Sequence, residues 1–285
     1  MKEKNAYLRV AALALVAMSA SANSYAQTSY GVMYQEQDHQ SDASTLIAQP
    51  YTFQAFLNGF SGSITGNVST PGGTGSIPTL TSSSPFFISG DFSDLSSLES
   101  AYAPGNYVFS SNADGTTSSL ALNTSGGFAT AGTISSSDPS VWVGPGLKIT
   151  SNGTIDLSFT TPDAIEYAVF SIEGTSAGTT SINQTLSFGS PGSPLAAGTT
   201  ENFSVSGLVL GIYQGSLSFF TSGGDLITTD FGGQSTPFGA SSLQTTTNMT
   251  LTVVAAPEPS TWALMTAGLL LLVVGMRYRT ARTVR

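Results

Sequence analysis

The chain has 285 residues with 17 Asp and Glu, eight Lys and Arg, one His and no Cys. The lack of thiols excludes disulfides, thiol catalysis, thiolate metal sites and a lipoprotein-type cysteine anchor within this chain. Seven of the eight cations lie in the two terminal segments, so residues 27–256 hold 15 acids against Lys148 alone, a net charge of −14 that repels phosphate backbones and argues against nucleic-acid binding.

Residues 1–26 read as a signal peptide. Lys2, Lys4 and Arg9 precede the apolar stretch Val10 to Ala17, and Ser24-Tyr25-Ala26 fits the small-x-small rule, which places cleavage between Ala26 and Gln27 by signal peptidase. A permanent N-terminal anchor is the alternative, and an apolar core of about eight residues is short for one.

Residues 27–256 read as an exported all-β domain, a β-sandwich or jelly roll. Ser and Thr make up 72 of these 230 residues, and Gly is abundant, which favours sheets and turns over helices. A disordered, mucin-like stalk would share that composition. Alternating runs argue for strands: Thr154–Thr160 sets Ile155, Leu157 and Phe159 on one face, and Asn248–Val253 repeats the pattern. Further predicted strands are Tyr51–Leu57, Phe86–Ser89, Asn106–Ser110, Ser119–Leu122, Ile165–Ile172, Ile182–Phe188, Asn202–Ser206, Leu208–Phe220 and Leu226–Asp230. Turn signals separate them at Asp114-Gly115, Asn152-Gly153, Gly223-Gly224-Asp225 and Gly232-Gly233. One helix is predicted over Leu95 to Ala101, capped by Asp94. A split near residues 135–140, at Ser135-Ser136-Ser137-Asp138-Pro139, would give two smaller sandwiches.

The body offers no strong catalytic constellation, and neither a catalytic residue nor a metal or cofactor is assigned. His39, the single histidine, lies in the polar segment Gln35–Asp42 and reads as a solvated loop residue. Two-histidine metal sites are impossible, and no Gly-x-Ser-x-Gly elbow on a strand-to-helix turn supports a Ser-His-Asp triad. A glycoside hydrolase would need two carboxylates roughly 5–10 Å apart, for which Glu166 and Glu173 beside an apolar strand are the nearest candidates. Asn112-Ala113-Asp114-Gly115 superficially resembles the start of a calcium loop but lacks the acids that should follow, while Asp38 with Asp42 and Asp91 with Asp94 are weaker still. A carbohydrate-binding module would need exposed aromatics, for which Tyr102, Tyr107, Trp142 and Tyr213 are the candidates. Six Asn-x-Ser/Thr sequons, at Asn67, Asn123, Asn152, Asn183, Asn202 and Asn248, exceed only twofold the number of about three that nine asparagines in this composition produce by chance.

Residues 257–285 read as an address. Pro257-Glu258-Pro259 precedes an uncharged stretch over residues 261–276, in which Trp262 to Met276 would span about 22 Å as a helix, slightly less than a bilayer core. Arg277, Arg279, Arg282 and Arg285 follow, which by the positive-inside rule places the C-terminus in the cytoplasm. A buried helix of a soluble domain is the alternative reading. The three-part order closely resembles the PEP-CTERM sorting signal: a Pro-Glu-Pro tripeptide, a short transmembrane helix and a basic tail. That resemblance covers residues 256–285 and implies recognition by an exosortase, a membrane cysteine-protease-like enzyme of Gram-negative bacteria. It further implies an inner-membrane-anchored precursor that becomes a cell-surface or extracellular protein associated with exopolysaccharide or biofilm. From the sequence a non-enzymatic surface or matrix protein is expected, with a carbohydrate-binding module or a secreted glycoside hydrolase as alternatives.

Overall fold

A computed structural model describes residues 29–39, 42–46, 49–58, 65–73, 75–137, 140–143, 146–150, 154–176, 181–190, 193–208, 210–227, 231–233 and 238–254, together with three helical positions, Met265, Leu269 and Leu271. Ala26, Gln27, the Pro257-Glu258-Pro259 tripeptide and the four terminal arginines lie outside the described residues, as does most of the expected span over 261–276. Among the described residues no helix is long and apolar enough to cross a membrane.

The described chain is all-β, as the composition predicts. Its strands in chain order are β1 (Ser29–His39), β2 (Asp42–Leu46), β3 (Thr52–Asn58), β4 (Thr65–Ser69), β5 (Leu80–Thr81) and β6 (Phe86–Ile88). After helix α1 (Leu95–Ala101) come β7 (Gly105–Ser111), β8 (Thr117–Leu122), β9 (Ile134–Ser136), β10 (Ser140–Val143), β11 (Gly146–Thr150) and β12 (Thr154–Thr160). The last five are β13 (Tyr167–Ser176), β14 (Ser181–Gly189), β15 (Thr200–Ser206), β16 (Gly211–Ile227) and β17 (Phe238–Val254). The helix matches the predicted bounds, and Asp94 caps it by accepting from the Ser97 N–H at 2.8 Å.

A long central sheet runs β6-β3-β1-β17-β16-β13-β14. Strand β17 organises it. One edge pairs antiparallel with β16 along nearly its whole length, while the other pairs in parallel first with β1, from Phe238 to Asn248, and then with β11, from Thr250 to Val254. Strands from both sides of residues 135–140 therefore share one sheet.

Odd-numbered residues of β17 face two apolar clusters. Leu243 joins Tyr30, Val32, Phe53, Tyr107, Phe109 and Leu120, which packs the central sheet against the small sheet β5-β4-β7-β8. Met249, Leu251 and Val253 join Phe170, Leu217 and Phe219 against Ile155, Leu157, Phe159 and Val205 of the three-stranded sheet β15-β12-β9. Both small sheets thus cover the same face of the central one, a sandwich-like layering. The opposite face carries Met33, Phe56, Tyr167, Val169 and Phe220, a cluster drawn wholly from the central sheet, beside buried Gln35, Gln54, Ser218, Gln244 and Thr246.

Two sequence expectations are corrected. Gln35 to His39 are not loop: they continue β1 between β17 and β3 or β2, with the His39 backbone opposite Asn248 and Asp42. Leu208–Phe220 and Leu226–Asp230 are not two strands divided by a turn. Their parts from Gly211 to Phe220 and at Leu226 and Ile227 belong to one strand, β16, and Gly223-Gly224-Asp225 forms a bulge within it, between the pairs Ser222/Ser242 and Leu226/Ala240. The bulge turns backbone groups outward to β8, so that Gly224 pairs with Leu122 and the Asn123 N–H donates to the Gly223 carbonyl at 2.7 Å.

Candidate functional site

The residues singled out for chemistry do not converge. Glu166 precedes β13 and Glu173 lies within it, seven positions on, so they are about 23 Å apart along an extended chain and project from opposite faces of the sheet. That separation is too large for a carboxylate pair flanking one glycosidic bond. Burial raises the Glu166 carboxyl above its ordinary range. It does the same to Glu36, partly opposed by a hydrogen bond from Tyr51.

The loop acids have local partners. Asp94 accepts from the hydroxyls of Ser93, Ser96 and Ser97 as well as from the Ser97 amide, and these bonds hold its carboxyl far below the usual range. Asp114 accepts from both the amide and the hydroxyl of Thr116, at 2.9 and 2.8 Å, which also lowers its pKa. These are the geometries of a helix cap and an Asx turn, and among the described residues no group of three acids or histidines could hold a metal ion. Asp38 and Asp42 fall on β1 and β2, where only backbone register is described.

Three of the four aromatics considered for a sugar platform pack within the fold. Tyr107 and Tyr213 are fully buried, and Tyr107 donates to the Ala103 carbonyl at 2.9 Å. Tyr102 stacks on Phe53 with ring centroids 4.6 Å apart and planes 4° from parallel. Trp142 is placed by backbone register opposite Leu147, and its side chain lies outside the described residues.

An open groove of about 300 Å³ lies on the three-stranded sheet, lined by Ser137, Asp156, Leu157, Ser158, Asn202, Phe203 and Ser204. Alternation in β12 and β15 creates it. Ile155, Leu157, Phe159 and Val205 turn inward to the core, which leaves Asp156 opposite Ser204 and Ser158 opposite Asn202 on the outer face. Ser204 donates to Asp156 Oδ1 at 2.6 Å, and the hydroxyls of Ser135 and Ser158 lie 2.8 Å apart. One carboxylate, several hydroxyls and an amide can exchange hydrogen bonds with a polar ligand. Among the described lining residues Asp156 is the single carboxylate. Strands β12 and β15 were legible in the sequence, but β9 and the cross-strand register that assembles the groove were not.

No family model matches the chain, and no curated protein matches it. Among solved structures, a β-glycosidase from Bacteroides vulgatus is similar at 12% identity and a TM-score of 0.20, over 67% of this chain and 23% of that one. The chain thus spans about a quarter of that enzyme's length. A DUF3823 family protein from Bacteroides uniformis ATCC 8492 is similar at 11% identity and a TM-score of 0.23, over 79% of this chain and 99% of that one. At such scores neither likeness bears on function.

Proposed function

We propose that this chain is a non-enzymatic, exported surface or extracellular-matrix protein, sorted through a PEP-CTERM signal by an exosortase and associated with exopolysaccharide. The observation that carries the reading is the order Pro257-Glu258-Pro259, an uncharged span over 261–276, and Arg277, Arg279, Arg282 and Arg285. Two features support it. The exported body is an acidic β-structure rich in hydroxyl groups, and its groove presents Asp156, Ser158, Asn202 and Ser204 as hydrogen-bonding partners suited to sugar hydroxyls. In this reading the signal peptide is removed after Ala26, the apolar span holds the precursor in the inner membrane, and the prolines keep the backbone extended where an embedded protease can engage it.

The test is replacement of Pro257, Glu258 and Pro259 together by Ala in a host that has the exosortase. The wild type is expected to lose residues 262–285 and to fractionate with extracellular polysaccharide, whereas the variant stays longer and membrane-bound. Mass spectrometry of the released protein decides it. Full recovery of peptides from Trp262 to Arg285 in the wild type would make the segment a permanent anchor, and release into a polysaccharide-free fraction would remove the matrix assignment.

A further inference from the structure

Strand β14 forms a regular nine-residue ladder with β13, from Tyr167 opposite Gly189 to Thr175 opposite Ser181, without a register shift. Among the described residues no strand pairs with its other edge. Alternate N–H and C=O groups of Asn183 to Phe188 therefore point away from β13, along an edge that no described strand pairs. Protective devices that usually guard such an edge are missing: Ser181-Ile182-Asn183-Gln184-Thr185-Leu186-Ser187-Phe188-Gly189 contains no Pro, no Lys and no charge, and it carries no bulge. Other free edges differ. Strands β5, β6, β9 and β10 have two, three, three and four residues, while β2 carries Asp42 and β15 carries Glu201.

We propose that β14 is a self-association edge, on which a second copy of this chain pairs its own β14 antiparallel about a two-fold axis at Thr185. Charge limits where a second copy can meet the first. Residues 27–256 carry a net charge of −14, so two copies repel over most of their surface, and a nine-residue neutral edge is a place where they can meet without opposing carboxylates. The register is self-complementary. With Thr185 opposite its own symmetry mate, Asn183 faces Ser187 and Gln184 faces Leu186 of the other copy, and each residue meets a partner on the same face of the sheet. On the core-facing side, Leu186 and Phe188 are only partly buried and would lose further water to the added strand. Glu173, the nearest acid along the ladder, pairs with Asn183, so the two copies of Glu173 would lie about 20 Å apart, beyond the screening length at physiological salt. The inference is independent of the sorting signal.

The absence of native cysteine makes the test direct. In the full chain purified in detergent, a single Thr185→Cys variant places two thiols opposite each other, with Cα atoms about 4.5–5.5 Å apart, within disulfide reach. A single Asn183→Cys variant separates its two copies by about 14 Å, while the double variant Asn183→Cys/Ser187→Cys restores an opposed pair. Under mild copper-phenanthroline oxidation, Thr185→Cys and the double variant are expected to give at least tenfold more linked dimer than Asn183→Cys. Equal linkage at all positions, or no dimer from Thr185→Cys, would overturn the proposal, the second result leaving the edge for a different protein strand. Sedimentation velocity provides a thiol-free readout: wild type is expected to dimerise with rising concentration, and Leu186→Lys to stay monomeric across the same range. A wild type that remains monomeric throughout would refute the pairing as well.

Discussion

Gln35 is the hub of a polar network buried within the central sheet. Its Oε1 accepts from Gln54 Nε2 at 2.6 Å and from Thr52 Oγ1 at 3.3 Å, while its Nε2 donates to Thr246 Oγ1 at 3.0 Å. Gln244 is a poorer member: its Nε2 donates to Ser218 and Thr246 at 3.0 and 2.9 Å, but its Oε1 is buried without a partner among the described residues. Turning that amide over would only exchange an orphan acceptor for an orphan donor. The two positions should respond oppositely to apolar replacement. Gln35→Leu leaves the Gln54 amide and the Thr52 hydroxyl short of an acceptor and is expected to cost about 2–3 kcal/mol. Gln244→Met removes the orphan together with its amide, and Ser218 and Thr246 keep their mutual contact at 2.9 Å, so a change below about 1 kcal/mol is expected. Urea unfolding of the two variants gives the comparison, and a larger loss at Gln244 than at Gln35 would contradict it.

At the scale of the element, β16 joins the central sheet to β8 through its Gly223-Gly224 bulge. Gly224 has φ of +132°, and a Cβ there would sit 2.7 Å from the Ala121 carbonyl oxygen. Gly224→Ala is therefore expected to lower stability by about 1–3 kcal/mol through backbone strain and overlap. Hydrogen exchange should localise the damage, with faster exchange at the Asn123 amide, whose acceptor is Gly223, and little change at Leu157 in the far sheet. Uniform acceleration, or none, would mean that the bulge does not hold this junction. The same bulge explains a misreading, since two glycines and an aspartate are as good a turn signal as a bulge signal, and only the neighbouring strand distinguishes them. Strands with one wet face, such as β7 and β12, were legible by alternation. Strand β1 was not, because it is buried on both faces from Ser29 to Gln35, where Ser29 and Gln35 share a face with Met33, and its remaining residues, Glu36 to His39, are all polar and read as loop. For β17 only the last third alternated clearly, while its buried run Ser241 to Asn248 is polar at seven of eight positions. The polar network and the groove depend on which strands lie side by side, information that local periodicity does not contain.

For the whole molecule the controlling quantity is charge. Fifteen acids and a single exposed Lys148 give the body no means of neutralising itself, and the acids with lowered pKa, Asp94, Asp114 and Asp163, are held by nearby hydroxyls and amides rather than by cations. Folding gathers these negative charges into a smaller volume, so their mutual repulsion opposes the compact state and weakens as salt shortens its range. Raising NaCl from about 10 to about 300 mM is therefore expected to increase the melting temperature by a few degrees, the shift that roughly 1 kcal/mol produces in a domain of this size. CaCl₂ at matched ionic strength separates screening from binding. Equal shifts with both salts would fit repulsion among dispersed acids, whereas a rise that saturates at submillimolar calcium and is reversed by chelator would identify a specific cation site. A melting temperature that stays flat or falls with NaCl would show instead that the native carboxylates already lie too far apart, or too well solvated, for their repulsion to limit stability.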